Sequence, residues 1–353
     1  TLSHFHILLC PIRHAGYIIF SVLFQGEICY IYIDMKTIEL LKKYWFVAGL
    51  ISIFTITMID KTETVSFAGK WLKSHHGPDA AIIIIFFVSG LMLNADAITA
   101  GLKDIKGVLI ALALIFIFAP GFAALITLSP IGHGLMLGII LVSVVPTTLS
   151  SGLVMTGAAG GNMAHALVIT ILANLFSVFS IPVELSLLVS LTGDTTLVLI
   201  DKMEMMLKIG AVLLCPLCCG LFVRPYAGFF LGKIAKWLQN GNQIIVLLVV
   251  WMALSQVREV ILQNGMILCA AFGMAVFFHG LMLCAGWFVS GRFKLKKGKR
   301  ESVILLGGQK TLPLSIMLQV SFFPEYGAAL LVCVMHHMMQ LVMDGYMVER
   351  MKK

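Results

Sequence analysis

From residue 44 onward the chain is a succession of apolar runs, most of them close to the thickness of a lipid bilayer. They cover roughly residues 44–59, 80–94, 107–126, 134–157, 163–191, 204–223, 243–258, 265–290, 302–322 and 327–347. A helix needs roughly 20 apolar residues to cross the hydrocarbon core; most runs are near this, and the second and seventh are short. Backbone polar groups in hydrocarbon must be satisfied within the segment, so single apolar runs of this length read as helices. Composition agrees: 59% of residues are hydrophobic and 12% are charged, against about a quarter charged in soluble domains. The expected fold is an all-α polytopic membrane protein with ten transmembrane helices over residues 35–353.

The net charge of +8 would suggest a nucleic-acid partner in a soluble protein. Here the basic residues crowd into short loops. With the N-terminus inside and ten crossings, seventeen of the Lys and Arg residues fall on the cytoplasmic side and six on the other. Arg292, Lys294, Lys296, Lys297, Lys299 and Arg300 form the densest cluster. This bias orients the chain with both termini cytoplasmic in the cell (inner) membrane. The partners expected are the lipid bilayer and a small solute, with no nucleic acid; the sequence says nothing of oligomeric state.

The chain opens on Thr1, whereas Met35 is followed by Lys36, Glu39, Lys42 and Lys43 and then by the first clear run, as at a cytoplasmic N-terminus. Residues 1–34 are therefore expected to be an extension outside the functional protein, non-native or disordered. Their apolar stretch from Tyr17 to Ile33, interrupted by Gln25, Gly26 and Glu27, also fits a signal-like segment or an extra helix. The cysteines at Cys215, Cys218 and Cys219 read as small packing residues in a helix, because no His or Cys pair lies at zinc spacing. No metal or cofactor is expected.

Ten spans divide into two sets of five. The fourth span contains Pro146-Thr147-Thr148-Leu149-Ser150-Ser151-Gly152, and the ninth contains Gly307-Gly308-Gln309-Lys310-Thr311-Leu312-Pro313. Pro removes a backbone donor and Gly tolerates non-helical angles. The groups freed this way must be buried against protein or line a polar cavity. Interruptions at matching places in two halves point to a transporter site at an inverted-repeat interface. With five spans per half, the second half inserts upside down relative to the first.

Lys310 is the sharpest single residue. An ammonium at mid-span costs about 2.5–3.5 kcal/mol on insertion scales. It also lies some 15 Å of helix from Arg300, too deep to snorkel. Two half-helix N-termini beside it would add positive field and favour an anion. Substrate contacts are assigned to Thr147, Thr148, Ser150, Ser151, Asn162, Gln309, Lys310 and Thr311, and ion coupling to Lys310, Thr170 and Gln309. Asn162, His165, Thr170 and Asn174 could share one face of the fifth span, lining the cavity or bonding between helices. His336 and His337 read as packing or interhelical bonding, and Asp96 as a helix cap or interface residue. Neither HExxH nor a P-loop is present, which argues against a zinc peptidase and an ATP-driven pump. The chain is not expected to be an enzyme.

Three motifs carry a resemblance. Phe86-Phe87-Val88-Ser89-Gly90-Leu91, Val145 to Gly152 with Gly160-Gly161-Asn162, and Gly308 to Leu312 resemble the bile acid:sodium symporter superfamily. Within it they are similar to the SBF-like branch, over about residues 36–350. The resemblance implies a 5+5 inverted repeat whose fourth and ninth helices are broken where they cross. It also implies a panel of helices 1, 2, 6 and 7 moving against a core of helices 3–5 and 8–10. In the bile acid carriers two sodium ions sit behind the crossing. Matching their ligand positions gives Ser151, Gly152, Ala166, Thr170, Ile115, Leu305 and Gln309 here, so most of the oxygen ligands and the carboxylate are missing. The function expected is secondary transport of a small organic anion by alternating access, with proton coupling or none favoured over sodium. A sodium-coupled carrier using Ser150, Ser151, Thr170 and Gln309 is one alternative, and a regulatory membrane protein that moves nothing is another.

Overall fold

The structure is a computed structural model that describes residues 12–14, 17–24, 27–93, 101, 105–193 and 201–352; of those, residues within 12–44, residue 150, 228–230 and 232 are described by backbone alone. It divides into two compact units, Thr1–Ser52 and Ile53–Lys353. In the first unit, β1 (Ile12–His14), β2 (Tyr17–Phe24) and β3 (Glu27–Asp34) form an antiparallel sheet in the order β1-β2-β3. The register of β2 with β3 runs from Tyr17 opposite Asp34 to Phe24 opposite Glu27. The apolar stretch read as a signal-like segment or extra helix is thus paired strand. Its Ile, Val, Tyr and Phe residues suit a pleated surface, and Gln25-Gly26 leaves only a hairpin's length between the strands.

The remaining described elements are helical. They are α1 (Met35–Ile59), α2 (Thr64–Ser74), α3 (Gly77–Met92), α4 (Ile105–Ala113), α5 (Ala119–Ile126), α6 (His133–Val144), α7 (Ser150–Ala158) and α8 (Met163–Ser190). Then come α9 (Lys202–Ile209), α10 (Cys215–Gln263), α11 (Gly265–Arg292), α12 (Lys299–Gly308), α13 (Leu312–Phe322) and α14 (Gly327–Met351). Five-residue π-helical stretches, Leu114–Phe118 and Gly210–Leu214, join α4 to α5 and α9 to α10. Each of the ten apolar runs carries helix. Among the described residues seven stretches are long and apolar enough to cross a membrane, and α1 with α2 makes an eighth as a bent pair. α3 and α6, at 16 and 12 residues, are shorter. The joint expected between the sixth and seventh runs is instead helical throughout α10, which is 49 residues long. Asp96 lies outside the described residues.

Side-chain caps set several helix starts. Asn162 Oδ1 accepts from the amides of Ala164 and His165 at α8, and Asp201 Oδ1 from Met203 and Glu204 at α9. Such caps satisfy amides that have no partner inside the helix. Asp60 does the same for α2, accepting on Oδ2 from the Val65 and Ser66 amides at 2.9 and 3.1 Å. α3 crosses α10 at two glycines. A Cβ on Gly90 would lie 2.2 Å from the Leu217 carbonyl, and one on Gly220 would lie 2.1 Å from that of Phe87. Only the missing side chains allow this approach, the usual device for close helix crossings in membranes. Asn242 of α10 secures the crossing by donating to the Ile85 carbonyl and to Ser89. The densest part of the interior is the α12–α13 segment, 94% of whose most apolar window is buried against 33% for Ile105–Ile126.

Candidate functional site

Two helices stop in the middle of the protein and restart. α6 ends at Val144; Val145 is extended (φ −77°, ψ 150°) ahead of Pro146, and α7 resumes at Ser150. Pro146 supplies no amide and biases the residue before it away from helical angles. α12 ends in Gly307-Gly308, Gln309 is extended (φ −70°, ψ 145°), and α13 starts with Pro313 in its first turn, where a missing N–H costs nothing. The two breaks touch. The Thr311 amide donates to the Pro146 carbonyl at 2.9 Å, and Thr148 Oγ1 donates to Gln309 Oε1 at 2.5 Å.

Lys310 lies in the second break and is 2% exposed. Its ammonium donates to the carbonyls of Ser143, Val145 and Ile115 at 2.6, 3.0 and 3.1 Å. Ser143 and Val145 close α6, and carbonyls at a helix end have no partner in the helix and carry its negative pole. Ile115 lies in the first π-helical stretch, whose i→i+5 bonding re-aims carbonyls. All three protons of the ammonium are therefore used. The ammonium thus faces the C-terminus of α6, because it has only donors and needs acceptors, while α13 starts two residues on, at Leu312.

The other predicted residues separate into two groups. Thr147, Thr148, Gln309 and Thr311 are buried at the crossing and Ser151 is partly exposed there. Ser151 Oγ donates to Thr148 Oγ1 at 2.8 Å, and the Gly152 amide donates to the same oxygen. Ser150 begins α7, and its side chain is outside the description. Asn162 is not part of this cluster. It lies beyond the far end of α7, exposed, capping α8, with its amide on the Gly298 carbonyl at 2.6 Å. Thr170 is buried in α8 and spends its hydroxyl on the Ala166 carbonyl at 2.9 Å. Asn174 and Ser177 likewise bond back to their own helix, a common sink for such side chains. Cys215, Cys218 and Cys219 are exposed on α10 rather than packed inside. Among the described residues no group of His, Cys, Asp or Glu could hold a metal ion.

A family model described as the SBF-like CPA transporter family matches residues 44–353. The chain belongs to that family. Among relatives, the chloroplast protein BASS4 of Arabidopsis thaliana, named a probable sodium/metabolite cotransporter, is 32% identical over 75% of this chain and 63% of its own length. YfeH of Escherichia coli (strain K12), provisionally named a symporter, is 25% identical over 85% of this chain and 92% of its own. Sodium/bile acid cotransporter 7-A of Xenopus laevis is 29% identical over 58% of this chain and 57% of its own. The chain thus spans less than two thirds of the Arabidopsis and Xenopus relatives.

Within this family member the crossing holds residues that the motifs did not single out. Asp344 of α14, fully buried, accepts from Gln309 Nε2 at 2.7 Å and from His279 Nε2 of α11 at 2.9 Å. Gln340 Oε1 accepts from the Lys310 amide at 2.7 Å. Glu184, two residues past Pro182 in α8, lies within electrostatic reach of the Lys310 ammonium. The rule that singled out Lys310, an ionisable residue inside a span, applies equally to Asp344 and Glu184. His336 packs its ring on Phe278 and His279, with centroids 5.7 and 5.4 Å apart. Gly152 has a physical reason as well: a Cβ there would lie 2.3 Å from Leu306 Cδ2 and 2.9 Å from Gln309 Oε1. The Gln309 side chain occupies the space a larger residue would need.

Proposed function

We propose that this chain is a secondary transporter that moves a small organic anion across the cell (inner) membrane by alternating access. It is built as ten membrane-spanning helices in a 5+5 inverted repeat with both termini cytoplasmic. The panel of helices 1, 2, 6 and 7 moves against the core of helices 3–5 and 8–10. The observation that carries the reading is the meeting of the two broken helices, with Lys310 held by three carbonyls between them. Backbone freed in this way inside a membrane protein characterises the substrate and ion sites of transporters built on repeats. The first turns of α7 and α13 start at the same breaks, and helix N-termini suit an anionic group.

In this reading Lys310 is a built-in cation. Its ammonium takes the kind of carbonyl oxygens that a sodium ion would take, so transport runs on protons or on the substrate gradient alone. The names of the Arabidopsis and Xenopus relatives support the second reading, a sodium-coupled symporter using Ser150, Ser151, Thr170 and Gln309. That Thr170 and Gln309 are already bonded within the protein favours the first. Uptake into proteoliposomes of a panel of labelled carboxylates and sulfonates, taurocholate among them, separates the two. The first reading expects uptake of at least one probe that is unchanged when choline replaces sodium. Uptake strictly dependent on sodium overturns it in favour of the second, and absence of uptake for every probe removes the transporter reading.

A further inference from the structure

Asp344 has no part in that reading, although it is a fully buried carboxylate in a membrane-spanning helix. Its hydrogen bonds tie it to the crossing. Gln309 uses its whole amide: Oε1 accepts from Thr148, while Nε2 donates to Asp344 Oδ2 at 2.7 Å and to Met155 Sδ at 3.4 Å. An ionised carboxylate only accepts. As long as Asp344 is charged, Gln309 must present its Nε2 to it, and this turns Oε1 onto Thr148. The opposite orientation would set carbonyl against carboxylate. A chain of bonds therefore runs from partly exposed Ser151 through Thr148, Gln309 and Asp344 to His279. At its inner end His279 Nδ1 is buried with no hydrogen-bond partner among the described residues.

The surrounding charges make one proton matter. The elements packed against α14 are α6, α7, α10, α11 and α13, and α12 shares a cluster of buried apolar side chains with its end; α8 comes within electrostatic reach of Lys310 through Glu184. Of these, α11 brings His279, and the break between α12 and α13 brings Lys310; α7 and α13 carry no ionisable residue. On α6 the ionisable residue is His133, at its far end; on α10 Arg258 is engaged by the Thr57 carbonyl and Glu63; on α12 Glu301 pairs with Arg300. α14 itself adds His336 and His337, about two turns away, and Tyr346, Glu349 and Arg350, which are exposed. Asp344 is thus a fully buried carboxylate met by the Gln309 amide and the His279 ring. A proton on Asp344 removes that charge, and buried carboxylate–histidine pairs inside membrane spans commonly serve as proton relays.

We propose that Asp344 with His279 is the proton-binding site of this carrier, and that it sets the orientation of Gln309 at the crossing. The inference rests on the transporter reading only for what the proton drives. A proton arriving from water adds to one Asp344 oxygen, turning the carboxylate into a carboxylic acid; no other bond forms or breaks. The new O–H needs an acceptor, and Gln309 provides one by rotating its amide. Oε1 then leaves Thr148 and Nε2 turns toward it. Thr148, already accepting from Ser151 and the Gly152 amide, must rebond, and the first turn of α7 is released. Loss of the proton reverses each step.

The test uses the full chain reconstituted in lipid. Infrared difference spectra between acidic and alkaline buffer are expected to show a carboxylic-acid carbonyl band in wild type. The band should vanish in Asp344→Asn, persist in Asp344→Glu, and shift in His279→Gln. In parallel, taurocholate or another transported probe from the panel is loaded with and without an imposed inward proton gradient. The ratio of the two accumulations should exceed one in wild type and fall to one in Asp344→Asn. A band that survives Asp344→Asn, or that is missing from wild type, overturns the site. So does a gradient response unchanged in Asp344→Asn. If no probe is transported, the carrier reading fails, while the infrared result, which needs no substrate, still decides where the proton binds. A purely structural Asp344 predicts lower thermal stability in Asp344→Asn with no change in any carboxyl band.

Discussion

Replacing Lys310 with Ala tests whether its ammonium stands in for a free cation. The substitution removes three hydrogen bonds of 2.6–3.1 Å to the carbonyls of Ser143, Val145 and Ile115 and leaves Glu184 without its nearby positive charge. Stripping one partner from a buried charged contact costs about 3–5 kcal/mol. It also leaves an opening of three methylenes and an ammonium, ringed by three carbonyl oxygens, the kind of oxygen set a hard cation takes. Sodium entering it would restore RT ln(1 + [Na⁺]/Kd), about 2.7 kcal/mol at a hundred times Kd. At roughly 2–4 °C per kcal/mol for a chain of a few hundred residues, the variant should melt about 5–10 °C higher in sodium chloride than in choline chloride at equal ionic strength. Wild type should not distinguish the two salts. The measurement is thermal unfolding of purified protein in detergent. A Lys310→Ala protein that is folded, destabilised and indifferent to sodium refutes the built-in cation. A wild-type protein stabilised by sodium to the same extent refutes it as well.

Gly152→Val should cost about 1–3 kcal/mol through overpacking, because its side chain meets Leu306 and Gln309 at the crossing; shortening the neighbour in Gly152→Val/Gln309→Ala should return part of the loss, and a single variant as stable as wild type would mean the breaks are not closely packed. Asp60 gives a pH signature outside the spans. Desolvation raises its pKa, but the bonds from Ser66, Thr62 and Val65 outweigh this and bring it from 3.8 down to about 2. A folded-state pKa below the unfolded one means its stabilisation of α2 is present above about pH 4 and lost as pH falls toward 2; protection of the Val65 and Ser66 amides, measured against their intrinsic exchange rates, should fall over that window, and Asp60→Asn should remove the pH dependence. A cysteine placed at Lys297 should react with an impermeant thiol reagent only after permeabilisation, judged against a background with the exposed native cysteines replaced. Labelling in intact cells would reverse the orientation drawn from the basic residues.

The parts of this protein that could be read in advance are those where one residue's chemistry has a single outcome. A run of twenty apolar residues is most simply satisfied in lipid as a helix, and Pro146 and Pro313 with their Gly and hydroxyl neighbours marked the two breaks, whereas Pro182 and Pro225 continue inside α8 and α10. What Lys310 would touch was not written beside it. An ammonium buried at a break takes whatever acceptors lie near, and the nearest are the Ser143 and Val145 carbonyls and that of Ile115, almost two hundred positions away in the chain. The π-helical stretch that brings Ile115 into reach has no sequence mark of its own in Leu-Ile-Phe-Ile-Phe. The bonding of Asn162 and Thr170 was hidden for the converse reason. Polar side chains near helix starts and inside spans can satisfy themselves on their own backbone, as these two do, and spacing on a helical face cannot tell that from a cavity lining. Asp344 is the instructive miss, since it met the same criterion as Lys310 but sat toward the end of its run, where a carboxylate reads as solvated. Its place is decided by α11 and the second break closing around it, because a carboxylate that loses water keeps its charge only if donors such as Gln309 and His279 replace that water.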